Sequence, residues 1–309
     1  LPEPRRYTDY TGNLIVGGDI YTIKNGHEDA PMLVRVDADG KEYKVRNFAY
    51  TTSGLRWDEH SGRIYWSANR PGRRWSLKTR SAVRYLDADG KAHTLRKDQL
   101  LYNPIKVSKH HISTVRYKTD GTSELSILNA SSGKTVVSYP APDSVQFVEA
   151  AIIGNDIYVT GLSENGYGIY KKHIHTYFKK GYGVDSYVSW DCILAPQPVM
   201  IKDFGTYGNE LIFACDRTGV HELYHFDPTS GELRQKTSTR YGAYDFQYSA
   251  DGEYLYYSSQ TIDGKHIFRT PADSLFDRKV RFDSLYKYPI AERLKEQETA
   301  VAKAKGYDK

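Results

Sequence analysis

One pattern recurs along the chain and restricts its fold more than any other feature. A turn containing Gly, Asn or Asp leads into a strand rich in Ile, Tyr, Phe and Trp, and a second polar turn follows. It reads Gly18-Asp19-Ile20-Tyr21, Gly62-Arg63-Ile64-Tyr65-Trp66, His110-His111-Ile112 and Gly154-Asn155-Asp156-Ile157-Tyr158-Val159. It continues as Gly208-Asn209-Glu210-Leu211-Ile212-Phe213 and Asp251-Gly252-Glu253-Tyr254-Leu255-Tyr256-Tyr257. With Ile20, Ile64, Ile112, Ile157, Ile212 and Tyr256 as markers, the steps are 44, 48, 45, 55 and 44 residues, so six copies fill the chain. A period of this length marks a repeat architecture in which one supersecondary unit is copied.

A second hairpin signal accompanies the first. Asp37-Ala38-Asp39-Gly40, Asp87-Ala88-Asp89-Gly90, Asn129-Ala130-Ser131-Ser132-Gly133 and Asp227-Pro228-Thr229-Ser230-Gly231 each follow a short apolar strand. Asp-Gly and Ser-Gly supply the positive φ values that tight hairpins require. Between the turns apolar residues alternate, as in strands with one buried face. Four short strands per repeat, six repeats and no intervening helix describe an all-β, six-bladed β-propeller. A four-stranded blade cannot cover its own two apolar faces, and a ring lets every blade pack on two neighbours. The expected propeller spans 1–282, with blades near 13–50, 52–97, 104–141, 143–195, 197–240 and 243–282. Residues 283–309 read as a C-terminal extension. There Ile290, Leu294 and Val301 share a helical face, and Pro289 suits the first position of a helix over about 289–305.

Two stretches resemble a known family. Phe246-Gln247-Tyr248-Ser249-Ala250-Asp251-Gly252-Glu253-Tyr254-Leu255-Tyr256-Tyr257-Ser258-Ser259 is similar to the WD-repeat-like unit of TolB-like six-bladed propellers. In that unit a strand ending in Ser-x-Asp-Gly precedes an aliphatic-aromatic strand. Cys215-Asp216-Arg217-Thr218-Gly219-Val220-His221-Glu222-Leu223-Tyr224 resembles the family's Ser-Asp-Arg-x-Gly turn and Ile-Tyr strand, with Cys215 in place of the usual Ser. The likeness is strongest over 208–269 and extends to 55–89. It implies a propeller serving as a binding scaffold or as a cap on a peptidase. Since that family is periplasmic, it also implies a periplasmic or extracellular location. Such a motif specifies fold and leaves chemistry open.

Composition narrows the partners. Lys and Arg number 43 against 38 Asp and Glu, a formal charge of +5 spread along the chain. A nucleic-acid binder concentrates its excess on one face, so no nucleic-acid partner is expected. The densest basic run is Arg70-Pro71-Gly72-Arg73-Arg74-Trp75. No apolar run approaches the roughly 18 residues of a membrane-spanning helix. The chain opens at Leu1 without Met, a basic n-region or an apolar h-region, and reads as a processed or excised piece. Cys192 and Cys215 are the two cysteines; they read as strand residues, and adjacent strands would let them pair.

Catalytic motifs are missing. No Gly-x-Ser-x-Gly elbow and no His-Glu-x-x-His occur. His173 and His175 share a strand face, a pattern more typical of a polar outer strand than of a metal site, so no metal or cofactor is expected. Asp-x-Asp-Gly segments lack the later ligands of a calcium loop and read as hairpins. Asp58, Glu149 and Asp203 lie on or at the ends of first strands, which makes them candidates for the central channel. Blades two and four carry insertions, Asn69–Arg80 and His173–Asp185, and loops joining second and third strands emerge on one face. Arg70, Arg73, Arg74 and Trp75 are therefore expected at a rim, where Arg and Trp are enriched among binding hot spots.

These readings favour a non-enzymatic propeller that binds a protein or envelope ligand at a loop face. Two rivals stand beside it: a gating or docking propeller of a larger hydrolase or peptidase, and a glycan-acting enzyme with a site in the channel.

Overall fold

In the computed structural model, which describes residues 6–28, 30–48, 54–72, 74–75, 79–174, 189–282 and 287–306, each repeat forms one antiparallel sheet. Blade one holds β1 (Thr8–Val16), β2 (Asp19–Gly26), β3 (Met32–Val36) and β4 (Glu42–Asn47). Blade two holds β5 (Arg56–Asp58), β6 (Arg63–Pro71), β7 (Thr79–Leu86) and β8 (Ala92–Gln99). Blade three holds β9 (Leu101–Ser108), β10 (His111–Tyr117), β11 (Ser123–Asn129) and β12 (Thr135–Pro140). Blade four holds β13 (Gln146–Ile153), β14 (Asp156–Ser163), β15 (Gly166–His173) and β16 (Asp191–Gln197). Blade five holds β17 (Ile201–Tyr207), β18 (Glu210–Cys215), β19 (Glu222–Phe226) and β20 (Leu233–Gln235); blade six holds β21 (Tyr244–Tyr248), β22 (Tyr254–Thr261) and β23 (Gly264–Pro271). Every marker residue of the repeat lies on the second strand of its blade.

The expected six-bladed, all-β architecture is therefore present, with one departure. Blade six has three strands where the repeat predicts four. After Pro271 the chain makes a single 3-10 turn and crosses back, so that β24 (Arg278–Val280) becomes a fifth strand on blade five. Chemistry favours that destination. Val280 enters the cluster of Phe226, Leu233 and Tyr224, while Asp277 takes both Arg234 (2.6 Å) and Lys236 (2.9 Å). Helix α1 (Pro289–Ala304) starts with Pro289 in its first turn as expected. Its apolar stripe is uncovered, with Ile290 71% exposed.

Five apolar clusters fill five of the interfaces between consecutive blades. Leu33 and Phe48 meet Ile64 and Trp66 between blades one and two; Tyr65 and Val83 meet Leu101 and Ile112 between two and three. Leu125 and Ile127 meet Phe147 and Val159 between three and four; Tyr158 and Ile169 meet Phe204 and Phe213 between four and five. Ala214 and Leu223 meet Phe246 and Leu255 between five and six. Burying such side chains stabilises by about 1.5–3 kcal/mol each.

The seam between blades six and one is different. Among the described residues no apolar cluster spans it, and no strand is shared across it. Polar groups close the ring. Thr8 N–H donates to the Asp263 carbonyl (2.9 Å), and Lys265 N–H donates to Asp9 Oδ1 (2.7 Å). Asn13 Nδ2 donates to Ser258 Oγ (2.8 Å), whose hydroxyl donates to the Tyr10 carbonyl (2.9 Å). Gly264, at φ 125°, permits the contact, because a Cβ there would lie 1.9 Å from the Thr8 carbonyl oxygen.

Gly264→Ala is accordingly expected to destabilise the protein by about 3 kcal/mol or more, a size reserved for changes that break a specific feature. Gly40→Ala, at a turn glycine with nothing within 4 Å of its ideal Cβ, is the control. Calorimetric melting of both variants decides: equal losses would show that the seam tolerates separation.

Candidate functional site

The first strand of each blade faces the axis. In blades one, three, four, five and six these strands are interrupted by bulges, marked by register shifts at Thr11/Leu14, near Asn103, at Phe147/Ala150, at Lys202/Gly205 and at Tyr244/Gln247. A bulge adds one residue and re-aims side chains. Asn103, Asp203 and Asp245 occupy these bulges in the left-handed region, at φ 49°, 53° and 54°. Asn and Asp are the non-glycine residues that enter that region most readily.

The bulged strands surround a central cavity of about 750 Å³ whose charged lining consists of Arg56, Glu149, Asp203 and Asp245. Adjacent blades are tied together by these groups. Phe204 N–H donates to Glu149 Oε2 (2.8 Å), and Asp245 N–H donates to Asp203 Oδ2 (2.9 Å). Arg56 reaches across the channel from blade two to blade five, donating from Nη2 to the Phe204 carbonyl (3.2 Å), with Glu149 Oε1 at 4.0 Å. Burial raises the Glu149 pKa, and the neighbouring Asp203 adds to the rise against the pull of Arg56. Burial, followed by repulsion from Asp203, pushes Asp245 up to about 7. Glu149 and Asp245 therefore keep their protons to higher pH than exposed carboxyls do.

Toward the turns at its other end the cavity is walled by Tyr207 and Tyr248, stacked with ring centroids 3.8 Å apart. Behind them His225 is buried between Glu210 (Nδ1 to Oε2, 2.7 Å) and the Tyr248 hydroxyl (Nε2 to Oη, 2.9 Å). With Nδ1–H donating to the carboxylate, Nε2 accepts the tyrosine hydroxyl proton. Burial lowers the His225 pKa, opposed by Glu210. This network fixes the Tyr248 ring that forms the wall.

The expected site residues separate. Glu149 and Asp203 do line the cavity. Asp58 does not: it is buried at the end of β5, bound to Lys106 Nζ of blade three (2.7 Å) and to Ser61. Although burial opposes ionisation there, Lys106 and Ser61 outweigh it and hold Asp58 below the ordinary carboxylate range. It is an interblade tie, so the anticipated three-carboxylate channel lacks one member and recruits Asp245 instead. Arg70 lies exposed near the end of β6, and Arg74 and Trp75 lie on the loop joining β6 and β7; Arg73 falls outside the described residues. The blade-four insertion starts at His173, the end of the third strand β15, and its residues from 175 on lie outside the described residues.

His173 Nδ1 bonds Asp156 Oδ1 (2.7 Å), and His175 lies outside the described residues. Cys192, exposed on β16, and Cys215, buried on β18, are free thiols on different blades. Among the described residues no group of three or more His, Cys, Asp or Glu is gathered closely enough to hold a metal. Arg56, Asn103 and Asp245 escaped the sequence reading. Their signal was positional: with Glu149 and Asp203 they stand eight to eleven residues before the marker of their repeat.

No protein-family model matches the chain, and no curated protein matches its sequence. Solved structures match its fold. TolB from Acinetobacter baumannii superposes with a TM-score of 0.56 at 13% identity, over 81% of this chain and 60% of that one. The β-propeller domain of the Trilobed protease from Pyrococcus furiosus gives 0.54 at 11% identity, over 90% of this chain and 99% of that one. Acylaminoacyl peptidase from Pyrococcus horikoshii gives 0.53 at 10% identity over 90% of this chain, which spans 53% of the peptidase's length. At such identities the likeness shows the fold alone. No helix among the described residues is long and apolar enough to cross a membrane.

Asp245 makes stability depend on pH. Its folded pKa lies above its unfolded one, so its contribution is complete below the unfolded value and is lost as pH rises through about 7. Asp245→Asn keeps the left-handed backbone accessible and removes the charge. The variant should match the wild-type melting temperature near pH 4 and exceed it by roughly 2–4 °C at pH 8, about 1 kcal/mol. Parallel melting curves across this range would refute the assignment.

Proposed function

We propose that this chain is a non-enzymatic binding propeller whose central channel receives a basic group, such as a lysine or arginine side chain of a protein or envelope partner. One observation carries the reading: three carboxylates and a single guanidinium line a cavity of about 750 Å³. That volume is within the range of ordinary ligand pockets, roughly 300–1,000 Å³. An entering cation favours the ionised carboxylates, so Asp245 and Glu149 give up protons as it binds. Arg56, anchored on the Phe204 carbonyl, divides the channel and leaves the cation to the side of Asp203 and Asp245. Likeness to TolB-like propellers supports a periplasmic or extracellular setting.

A second reading, a docking or gating propeller of a larger peptidase, is supported by the match to nearly the whole Trilobed protease propeller domain. The two readings share the channel. An α/β-hydrolase segment encoded beside this chain would favour the second.

The test is calorimetric titration of the whole chain with a tetralysine peptide and, as control, a tetraglutamate peptide. Tetralysine should bind and tetraglutamate should not, with tighter binding at pH 8 than at pH 6. The double change Glu149→Gln and Asp245→Asn should weaken binding at least about tenfold, or 1.4 kcal/mol. Binding that ignores both pH and the double change would reject the channel as the basic-group site.

A further inference from the structure

Blade six ends one strand short, and the shortfall exposes a strand of a kind that is interior everywhere else in the ring. Blades one to five each carry a fourth strand outside the third, whereas β23 pairs with β22 alone among the described residues. The β22–β23 pairing runs over eight residues without a register shift, from Tyr254↔Pro271 to Thr261↔Gly264. Outer strands of the other blades are blunted. In blades one to four the third-to-fourth pairing is broken by a register shift, and in blade five β24 covers β20. Bulges and covering strands keep sheet edges from pairing with another chain. Neither device protects β23.

The groups on that free edge follow from the ladder. Lys265 N–H donates to Asp9 Oδ1 (2.7 Å), so it points away from β22. Residues of an antiparallel strand alternate between those that exchange hydrogen bonds with the neighbouring strand and those that do not. Ile267 and Arg269 therefore turn their N–H and C=O groups outward, as Lys265 does. Side chains are assigned in the same way. Ser258, the cross-strand partner of Ile267, bonds Asn13 and the Tyr10 carbonyl, so Ile267 and Arg269 lie on the face toward blade one. Phe268 lies on the other face, stacked on Tyr257 with 5.7 Å between ring centroids, and is 39% exposed. Tyr257 in turn packs on the cluster between blades five and six. Arg269 is exposed, with Cζ 4.7 Å from the Tyr254 ring centroid, and among the described residues no carboxylate pairs with it.

We infer that β23 receives an extended segment of a partner protein as the fourth strand of blade six, with an acidic residue facing Arg269 and an apolar residue facing Phe268. Alternate side chains of a strand fall on opposite faces, so the acidic and apolar residues are neighbours in the partner's sequence. Main-chain hydrogen bonds to Ile267 and Arg269 supply affinity, and the cross-strand pairs select the sequence. A second copy of this chain fits the edge less well. Twofold pairing that engages both Ile267 and Arg269 sets Arg269 opposite or diagonal to Lys265 or Arg269 of the copy, and like charges so placed oppose association.

Calorimetric titration of the whole chain with the end-blocked peptide Glu-Val-Glu-Phe-Glu-Val-Glu provides the test. Saturable binding is expected. N-methylation of the inner Glu residues, whose N–H groups would face β23, should abolish it, whereas N-methylation of the Val residues, whose N–H groups face away, should leave it unchanged. Arg269→Glu should weaken binding at least about threefold. Arg293→Glu, the same charge change on the exposed helix α1, should have no effect. Absence of saturable binding, binding that survives methylation of the inner Glu residues, or a loss from Arg269→Glu no greater than that from Arg293→Glu overturns the inference. So does a dimer of the chain alone, seen in sedimentation, that the peptide dissociates, because a second copy would then hold the edge.

Discussion

A four-stranded β-sheet with apolar residues on both faces must be covered twice, and in this protein that single requirement organises the rest. Each blade is shielded by its neighbours, and the chain supplies just enough blades for the first to meet the last. Five of the junctions are made by interlocking apolar side chains such as Phe147, Phe204 and Trp66. The sixth is made by backbone and side-chain hydrogen bonds between β1 and blade six. Hydrogen bonds contribute only about 0.5–1.5 kcal/mol each, and they exchange with water when the seam parts.

Closing the ring also creates the channel. Six first strands brought around one axis cannot all continue straight, and bulges at Asp203, Asp245 and Asn103 absorb the geometry in left-handed backbone. The same residues that relieve the backbone carry the polar side chains, so a steric solution becomes a chemical site. Its low dielectric then works against its own charge. Hydrogen bonds from Phe204 and Asp245 N–H orient two carboxylates, yet Arg56 is the one guanidinium among the lining residues. Under the proposed function, the basic group of a partner supplies the balancing charge.

The formal charge of +5 conceals a strong internal separation. Acidic groups gather on the axis, while Arg80 and Arg84 lie on one face of β7 in blade two. The axial group results from bulges that re-aim side chains, whereas the two arginines share a face by alternation along β7. Asp58 shows the opposite outcome. It meets Lys106 from the next blade and becomes a structural tie.

Blade number, second-strand markers and the terminal helix could be read directly from the chain, because turn residues and alternation act over a few neighbours. Glu149 and Asp203 were legible as axis residues for the same reason, since position within a repeat reports distance from the centre. The transfer of β24 to blade five was not legible, as it depends on Val280 finding Leu233 and on Asp277 finding Arg234. Nor was the role of Asp58, which turns on whether Lys106 or solvent stands opposite. The amino-acid sequence by itself determined six sheets and their order around a ring, through local backbone preference and hydrophobic period. Only the tertiary structure decided which charges meet across blades, because electrostatic partners are set by distances in space that no local period encodes.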